Sequence, residues 1–306
     1  MNRLIDNIKK VIKGKDAQIT LLAAALLAKG HVLIEDVPGT GKTVLARSLC
    51  KSINAEFRRV QFTPDLLPSD ITGINFFNMK TQDFVLKKGG VFTNILLADE
   101  INRATPRTQS ALLECMEERQ VTIDGETYAL GEPFMVIATQ NPIEIQGTYP
   151  LPEAQLDRFL IRITLGYADK EAEMKILGDA NASHPLERIE TVMSADDVRA
   201  EQERCARVLA GGAVREYIAD LGAATRNHDK IRLGLSTRGL IALKKTAQAF
   251  AYLNGKKFVS PRDVKEIAPY VMSHRIITRD YADKSAAALA GEILGSVRVP
   301  TESADG

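Results

Sequence analysis

Two kinds of hydrophobic pattern divide the chain. Between residues 31 and 165, short apolar runs alternate with helix-like segments, and runs such as ILLA and MVIA are apolar at every successive position. Strands covered by helices on both faces show this pattern, because neither face meets water. After Tyr167 the pattern becomes helical, with few β-branched runs. We therefore predict an α/β domain with a doubly wound parallel sheet over residues 1–170, followed by an all-helical domain over 171–306.

Two segments of the first domain differ from this alternation. Residues 74–90 contain two strand-like arms around a polar turn, and residues 120–130 alternate apolar and polar positions around Asp124 and Gly125. An Asp-Gly pair between alternating arms is a strong hairpin signal. We expect two β-hairpins that project from the core.

The second domain contains two clear helix starts. Ser236 precedes an amphipathic segment that ends at Gly255, which is the usual arrangement of N-cap and C-terminal stop. Ser260 is followed by Pro261 and Asp263, which predicts a capping box with proline at the first helical position.

Composition and net charge argue against two classes of protein, disordered chains and dedicated nucleic-acid-binding proteins. Of the 306 residues, 45% are hydrophobic and 26% are charged, which excludes wholesale disorder. The net charge of +1 is far from the basic excess of a dedicated nucleic-acid-binding protein and argues against a nucleic-acid partner, although a local basic surface in an assembled ring stays open.

The apolar run 19–28 is too short to span a bilayer, has no cleavage site after it, and predicts a buried helix rather than a membrane segment. Cys50, Cys115 and Cys205 are odd in number and far apart, as expected of reduced structural thiols. These features predict a cytoplasmic protein.

A glycine-rich loop follows the first apolar run, in the segment EDVPGTGKT at 35–43. Gly39 and Gly41 stand where the backbone must approach phosphate closely, at the start of a helix. Lys42 would add positive charge and Thr43 would offer a hydroxyl to Mg²⁺, so the fold is predicted to be a P-loop NTPase that binds ATP and Mg²⁺. The predicted nucleotide-binding residues of this loop are Pro38, Gly39, Thr40, Gly41, Lys42, Thr43 and Val44.

Asp36 occupies the place of the first glycine in the usual G-x-x-x-x-G-K-[ST] pattern. Aspartate tolerates unusual backbone angles and accepts hydrogen bonds from loop amides. We expect its carboxylate to turn back into the loop, away from the nucleotide, and to leave ATP binding intact.

Polar residues end two of the predicted buried strands. Asp99 closes the run ILLAD and can hold Mg²⁺ through water, and Glu100 is placed to polarise the attacking water as general base. The strand MVIATQ is followed by a polar end from which either Asn141 or Thr139 could orient that water and contact the γ-phosphate.

Two arginines could stabilise the charge that develops during hydrolysis. Arg158 lies at the end of a predicted helix just before the last strand, and Arg238 begins the amphipathic helix of the second domain. A positioned arginine contributes roughly 10³–10⁵ in rate in comparable enzymes.

Four segments together resemble the MoxR-type AAA+ ATPases, in the helix-2-insert branch of AAA+. They are DVPGTGKT, LLADEINRATPRTQSALLECMEERQVTIDG, VIATQNPIEIQGTYPLPEAQLDRF and RLGLSTRGLIALKKTAQAFA. The resemblance extends over nearly the whole chain, and EDVPG, with Asp36, is itself a wording that these proteins use.

The resemblance implies roles for individual residues. Segment 39–43 would be Walker A, and Asp99 with Glu100 would be Walker B. Asn141 would be the first sensor, and Arg158 the arginine finger that acts on the neighbouring subunit's ATP. The remaining implied residues are Arg238 as second sensor in a helical lid, and Ile12 and Gly14 beside the adenine.

The resemblance also implies an assembly and its partners. Members form rings, typically hexamers, remodel or mature protein complexes, and often act with a partner that contains a von Willebrand factor A domain. The segment 74–90 would be the helix-2 insert. One departure is Thr237, where relatives often have proline; threonine is less rigid there but leaves Arg238 in place.

Two other functions compete with a protein-remodelling ATPase. A motor that acts on DNA would need a basic or aromatic surface, for which Lys80, Lys87 and Lys88 are the candidates. A scaffold that binds ATP without useful turnover is disfavoured, because every expected catalytic residue is present.

Overall fold

The computed structural model describes residues 1–142, 147–179, 185–279 and 283–300. Its strands are β1 Val32–Glu35, β2 Phe57–Gln61, β3 Gly73–Asn78, β4 Asp83–Lys88, β5 Ile95–Asp99, β6 Gln120–Ile123, β7 Glu126–Ala129, β8 Met135–Gln140, β9 Ile161–Ile163, β10 Ile231–Leu233 and β11 Ile277–Thr278. Its α-helices are α1 Asn2–Lys9, α2 Asp16–Leu27, α3 Lys42–Ser52, α4 Pro68–Thr72, α5 Pro106–Glu118, α6 Glu153–Leu156, α7 Lys170–Asp179, α8 Ala195–Ala206, α9 Gly212–Arg226, α10 Thr237–Leu253, α11 Pro261–Met272 and α12 Asp283–Ser296.

A five-stranded parallel sheet is the centre of the fold, with the strand order β2-β5-β8-β1-β9. Alternate residues of its strands belong to different cores: Leu97 and Ile137 lie in one cluster, and Leu96 and Val136 in the other. Both faces of the sheet are therefore buried, which explains the unbroken apolar runs. The predicted doubly wound α/β fold is confirmed.

The two inserts form antiparallel pairs at the predicted positions. In one, β3 pairs with β4 from Gly73 opposite Lys88 to Asn78 opposite Asp83. In the other, β6 pairs with β7 around Asp124 and Gly125, both of which have positive φ. The inserts touch, because Asn75 Nδ2 donates to Asp124 Oδ2 at 3.1 Å.

Among the described residues after β9, the regular structure is helical apart from the short pair β10–β11 and an isolated bridge between Leu209 and Phe258. Strands of two and three residues are too short to leave a period in the hydrophobic pattern, so this pair was not predicted. Helix α10 packs against α2, α8, α9 and α11. No helix within the described ranges is both long and apolar enough to cross a membrane.

The helix starts of this region have the predicted caps. Ser236 Oγ accepts from Gly239 N at 3.0 Å, and Ser260 with Asp263 forms a capping box. Each cap satisfies amides that the first helical turn leaves unpaired.

Two buried histidines link the sheet to its surroundings. His31 Nδ1 accepts from Val136 N at 2.9 Å, and its Nε2 contacts Met116 O at 3.0 Å. Burial is the main cause that lowers the pKa of His31 to about 3. Burial and the nearby Arg275 also hold the pKa of His274 well below its ordinary value.

We predict that the two buried histidines make the folded protein less stable in acid. The unfolded chain protonates each histidine near pH 6.5, whereas the folded chain keeps both neutral, so stability is complete above pH 6.5 and falls as the pH is lowered. The loss amounts to about 1.4 kcal/mol per histidine between pH 7.5 and 5.5, and its slope approaches about 1.4 kcal/mol per pH unit at lower pH. Urea unfolding between pH 7.5 and 5.5 measures this slope. His31→Gln should make the slope shallower, and an unchanged slope would show that His31 does not titrate as described.

Candidate functional site

The carboxyl ends of β1, β8 and β5 meet at one edge of the sheet, because the three strands are neighbours and run parallel. The glycine-rich loop follows β1, and the acidic pair follows β5. The strand order therefore brings together the loop, Asp99, Glu100 and the polar end of β8, as ligand sites in open α/β sheets require.

The loop between β1 and α3 has the backbone of a phosphate site. Gly39 and Gly41 have φ values of 84° and 90°, which favour glycine, and a Cβ added at either would have no atom within 4 Å. The amides of residues 39–44 donate no hydrogen bond to any residue that the structure describes. A helix N-terminus with unpaired amides attracts anions, so these residues fit a nucleotide's phosphates.

Lys42 extends along the same loop. Its Nζ donates to the carbonyl oxygens of Asp36 at 3.0 Å and Val37 at 3.2 Å. Thr40 Oγ1 also donates to Val37 O, at 3.3 Å. The ammonium therefore lies beside the loop whose amides are unpaired.

The Asp36 carboxylate is buried and points away from those amides. Oδ1 accepts from Val37 N at 2.8 Å, inside the loop as predicted. Oδ2 accepts from Leu165 N at 3.0 Å and Gly166 N at 2.8 Å, in the segment after β9. The acid therefore joins the loop to the end of the neighbouring strand, a contact that the sequence did not suggest.

The carboxylates of Asp99 and Glu100 accept hydrogen bonds from residues of β2, of β8 and of the turn after β5. Asp99 Oδ1 accepts from Thr139 Oγ1 at 2.6 Å, and Oδ2 accepts from Arg59 Nη2 at 2.6 Å. Glu100 adopts a left-handed conformation with φ 56°, which turns the chain sharply after the strand. Its Oε2 accepts from Gln61 Nε2 at 2.9 Å and from Arg103 Nη1 at 3.2 Å.

Arg59 and Gln61 are site residues that the sequence analysis missed. They lie two positions apart on β2, and Gln61 is paired in register with Asp99. The only sequence signal is a pair of polar residues at alternate positions of an edge strand. It becomes informative once the strand order places β2 beside β5.

Thr139 and Asn141, the two candidates for orienting the attacking water, lie in different surroundings at the end of β8. Thr139 is fully buried and bound to the acidic pair, because it donates to Asp99 and its oxygen accepts from Glu100 N at 2.9 Å. Asn141 is buried just beyond the strand end. The segment 143–146, which belongs to the same motif, lies outside the described residues.

The segment proposed to line the adenine is fastened to the start of α7. Gly14 has a φ of 68°, and a Cβ there would lie 3.0 Å from Ala172 Cβ. Lys15 Nζ donates to Tyr167 O at 2.7 Å. Ile12 is partly buried against the main core.

Both candidate arginines lie away from this edge. Arg158 precedes β9, which runs parallel to β1, so it stands at the amino edge of the sheet, whereas the glycine-rich loop stands at the carboxyl edge. Arg238 Nη2 donates to Glu117 Oε1 at 2.6 Å, near the end of α5. The neighbouring Met116 contacts His31, which precedes β1, so Arg238 is also at the amino edge. The four residues of β1 alone separate the two edges by roughly 13 Å.

The insert β3–β4 exposes apolar side chains. Phe77 and Phe84 are 51% and 73% exposed, with ring centroids 5.5 Å apart, and Met79 at the tip is 87% exposed. Phe77 and Phe84 are cross-strand partners and stabilise the hairpin by their ring contact, while the exposed apolar surface that they form with Met79 is suited to an interaction.

Comparison with known proteins places the chain among ATPases. Residues 31–161 match the model of the ATPase family associated with various cellular activities (AAA), and residues 223–293 match the AAA lid domain. A solved structure from Cytophaga hutchinsonii, assigned as an ATPase, superimposes with a TM-score of 0.90 at 39% identity, covering 98% of this chain and 94% of that one.

Curated relatives are similar over most of their length. The chain is 48% identical to the uncharacterized protein YeaC of Bacillus subtilis, over 99% of this chain and 95% of the relative. It is 39% identical to a Mycobacterium tuberculosis protein named Chaperone MoxR1, over 90% of this chain and 75% of the relative.

We predict that Asp36 stabilises the loop without taking part in nucleotide binding. Asp36→Gly removes an acceptor of three amides and should lower the free energy of unfolding by about 2 kcal/mol or more, while the Kd for ATP changes little. Urea unfolding and nucleotide titration measure the two quantities. Asp65→Gly, which removes an exposed acid from a later loop, is the control. A large gain in ATP affinity would instead mean that the Asp36 charge repels phosphate.

Proposed function

Because the chain belongs to the MoxR-type AAA+ ATPases, we propose that it hydrolyses ATP to ADP and phosphate with Mg²⁺ at the carboxyl edge of its sheet. The proposal rests on two features that lie side by side at this edge of the sheet. One is the run of unpaired amides at 39–44, and the other is the acidic pair Asp99 and Glu100. Phosphates and a divalent cation need these two features side by side.

Each residue at this edge would have its own role in ATP hydrolysis. Loop amides and Lys42 bind the phosphates, and Thr43 with Asp99 holds Mg²⁺, which when bound neutralises charge on the phosphate oxygens. Glu100 then polarises the attacking water, after its carboxylate exchanges Gln61 and Arg103 for that water.

The end of β8 would complete the catalytic group. Thr139 already fixes Asp99 and the Glu100 amide, so it orients the acids. This leaves Asn141 as the residue that contacts the γ-phosphate and the water. Ile12 and Gly14 would line the adenine.

The two arginines require a second copy of the chain. Arg158 and Arg238 lie at the amino edge, with the sheet between them and the loop of their own subunit. Because the phosphate-binding loop of their own subunit lies at the opposite edge, we propose that both act on the nucleotide of a neighbour. We therefore propose a homo-oligomer, closed as a hexameric ring, with Arg158 as arginine finger and Arg238 as a second sensor in trans.

The client would be a protein complex that the ring remodels or matures, in the cytoplasm and with a partner that contains a von Willebrand factor A domain. A relative named as a chaperone supports this proposal. The surface of β3–β4 also favours a protein client, because it exposes apolar side chains, among them Phe84 and Met79.

The general base is tested by Glu100→Gln. The variant should bind ATP with nearly unchanged affinity and lose about 10²–10⁴-fold in kcat, because the amide cannot accept the proton of water. Phosphate release and nucleotide titration measure the two effects, and Glu118→Gln, an exposed residue at the end of α5, is the control. Turnover at the wild-type rate would remove Glu100 from the mechanism.

Action in trans is tested by mixing two inactive variants. Arg158→Ala should lose roughly 10³-fold in kcat while the isolated subunit keeps its affinity for ATP. Mixed with Glu100→Gln, it should regain part of the activity, since one subunit offers an intact site and the other an intact finger. If mixing restores nothing and Arg158→Ala weakens ATP binding in the isolated subunit, Arg158 acts within its own subunit.

A further inference from the structure

Asp157, the residue before Arg158, connects the two domains. Its Oδ1 accepts from Arg275 Nε at 2.6 Å, and its Oδ2 accepts from Ser236 Oγ at 2.9 Å. Both partners lie within the lid match at 223–293. The carboxylate that adjoins the proposed arginine finger is therefore bound on both oxygens by the lid.

Arg275 holds the backbone on both sides of Arg158. Its side chain is 3% exposed, and its nitrogens donate to the carbonyl oxygens of Asp157 at 3.2 Å, Phe159, and Leu160 at 3.0 Å. A planar guanidinium with several fixed acceptors has little rotational freedom. The chain on either side of Arg158 is thus set by a lid residue.

Asp157 and Arg275 also fix the position of the start of α10. Ser236 Oγ caps that helix through Gly239 N while it donates to Asp157, so the cap and the contact share one hydroxyl. A Cβ at Gly239 would lie 3.1 Å from Arg275 Cδ, which shows how closely the helix start rests on the guanidinium. Arg238 stands between Ser236 and Gly239, so its position follows from this contact.

We propose that Asp157 and Arg275 are positioning residues that hold Arg158 and Arg238 as one unit, so that both arginines meet the γ-phosphate of a nucleoside triphosphate in the neighbouring subunit together. The inference rests on the proposed role of these arginines in trans. Without the carboxylate, the lid would contact the segment at 157–160 only through backbone carbonyls, and the start of α10 would lose its direct bond to Asp157. A displacement of about 1 Å at a reacting group can cost roughly 10²-fold in rate.

A second ion pair between the same parts of the molecule provides a control. Arg232 donates to Glu153 Oε1, and both side chains are more than 40% exposed. Exposed pairs of this kind contribute little to stability. Glu153→Gln therefore removes a contact between the domains without touching Arg158, Arg275 or Ser236.

The test is a double-mutant cycle on the assembled full-length protein. Asp157→Asn keeps the shape of the side chain but removes its charge, and we expect kcat to fall at least tenfold while KM for Mg-ATP stays within about twofold. In the Arg158→Ala background the same change should cost clearly less, because only Arg238 is then left for Asp157 to position. Glu153→Gln should retain wild-type turnover.

Three results would overturn the proposal. The first is an undiminished kcat in Asp157→Asn. The second is an equal loss from Asp157→Asn in the wild-type and Arg158→Ala backgrounds, which would mean that Asp157 acts through stability or assembly. The third is a full kcat in Arg158→Ala beside a reduced one in Asp157→Asn, which would show that Asp157 acts on something else.

If Asp157→Asn does not assemble, a second variant tests the same positioning role. Ser236→Gly removes the hydroxyl that reaches Asp157, and glycine is tolerated at an N-cap. It should lower kcat by a smaller factor, and by less in the Arg158→Ala background than in the wild type; wild-type kcat in an assembled Ser236→Gly protein would count against the proposal. Loss of turnover in Glu100→Gln tests ATP hydrolysis separately, so failure of the positioning role and failure of the proposed activity give different patterns.

Discussion

All five strands of the central sheet run in the same direction, and the placement of every candidate site residue follows from this constraint. Residues that follow strands, such as Gly41, Asp99 and Asn141, gather at the carboxyl edge. Residues that precede strands, such as Arg158, gather at the amino edge. Parallel pairing therefore separates the groups that would bind phosphate and metal from the cations that would stabilise the charge of the transferred phosphoryl group.

The short strand β9 connects these two edges within one subunit. At its carboxyl end, the amides of Leu165 and Gly166 are bound by Asp36, which also belongs to the glycine-rich loop. At its amino end, the carbonyls of Phe159 and Leu160 are bound by Arg275. Two buried charged side chains thus fix both ends of a strand of only three residues. The acid that departs from the usual loop pattern is one of them.

The sequence was informative wherever one segment determines its own structure. The apolar runs around Leu96 and Val136 predicted strands buried on both faces, and the Ser236 and Ser260 caps predicted helix starts that the structure has. The contacts of Arg59 with Asp99 and of Arg238 with Glu117 were not predictable in this way. Each depends on which strand or helix lies beside another, and that order is set by packing among segments that are distant in the chain.

The acidic pair shows why the site depends on charges from more than one element. Asp99 and Glu100 are adjacent carboxylates, and their mutual repulsion is offset by Arg59 on one and Arg103 on the other. A divalent metal at Asp99 would add positive charge beside the Arg59 guanidinium, so Arg59 would have to share or release that carboxylate oxygen. We infer that the arginine keeps the carboxylate in place until the metal arrives with the nucleotide. The acids are thus held in place by their own subunit, while under the proposed mechanism the arginines that complete the reaction would come from the next.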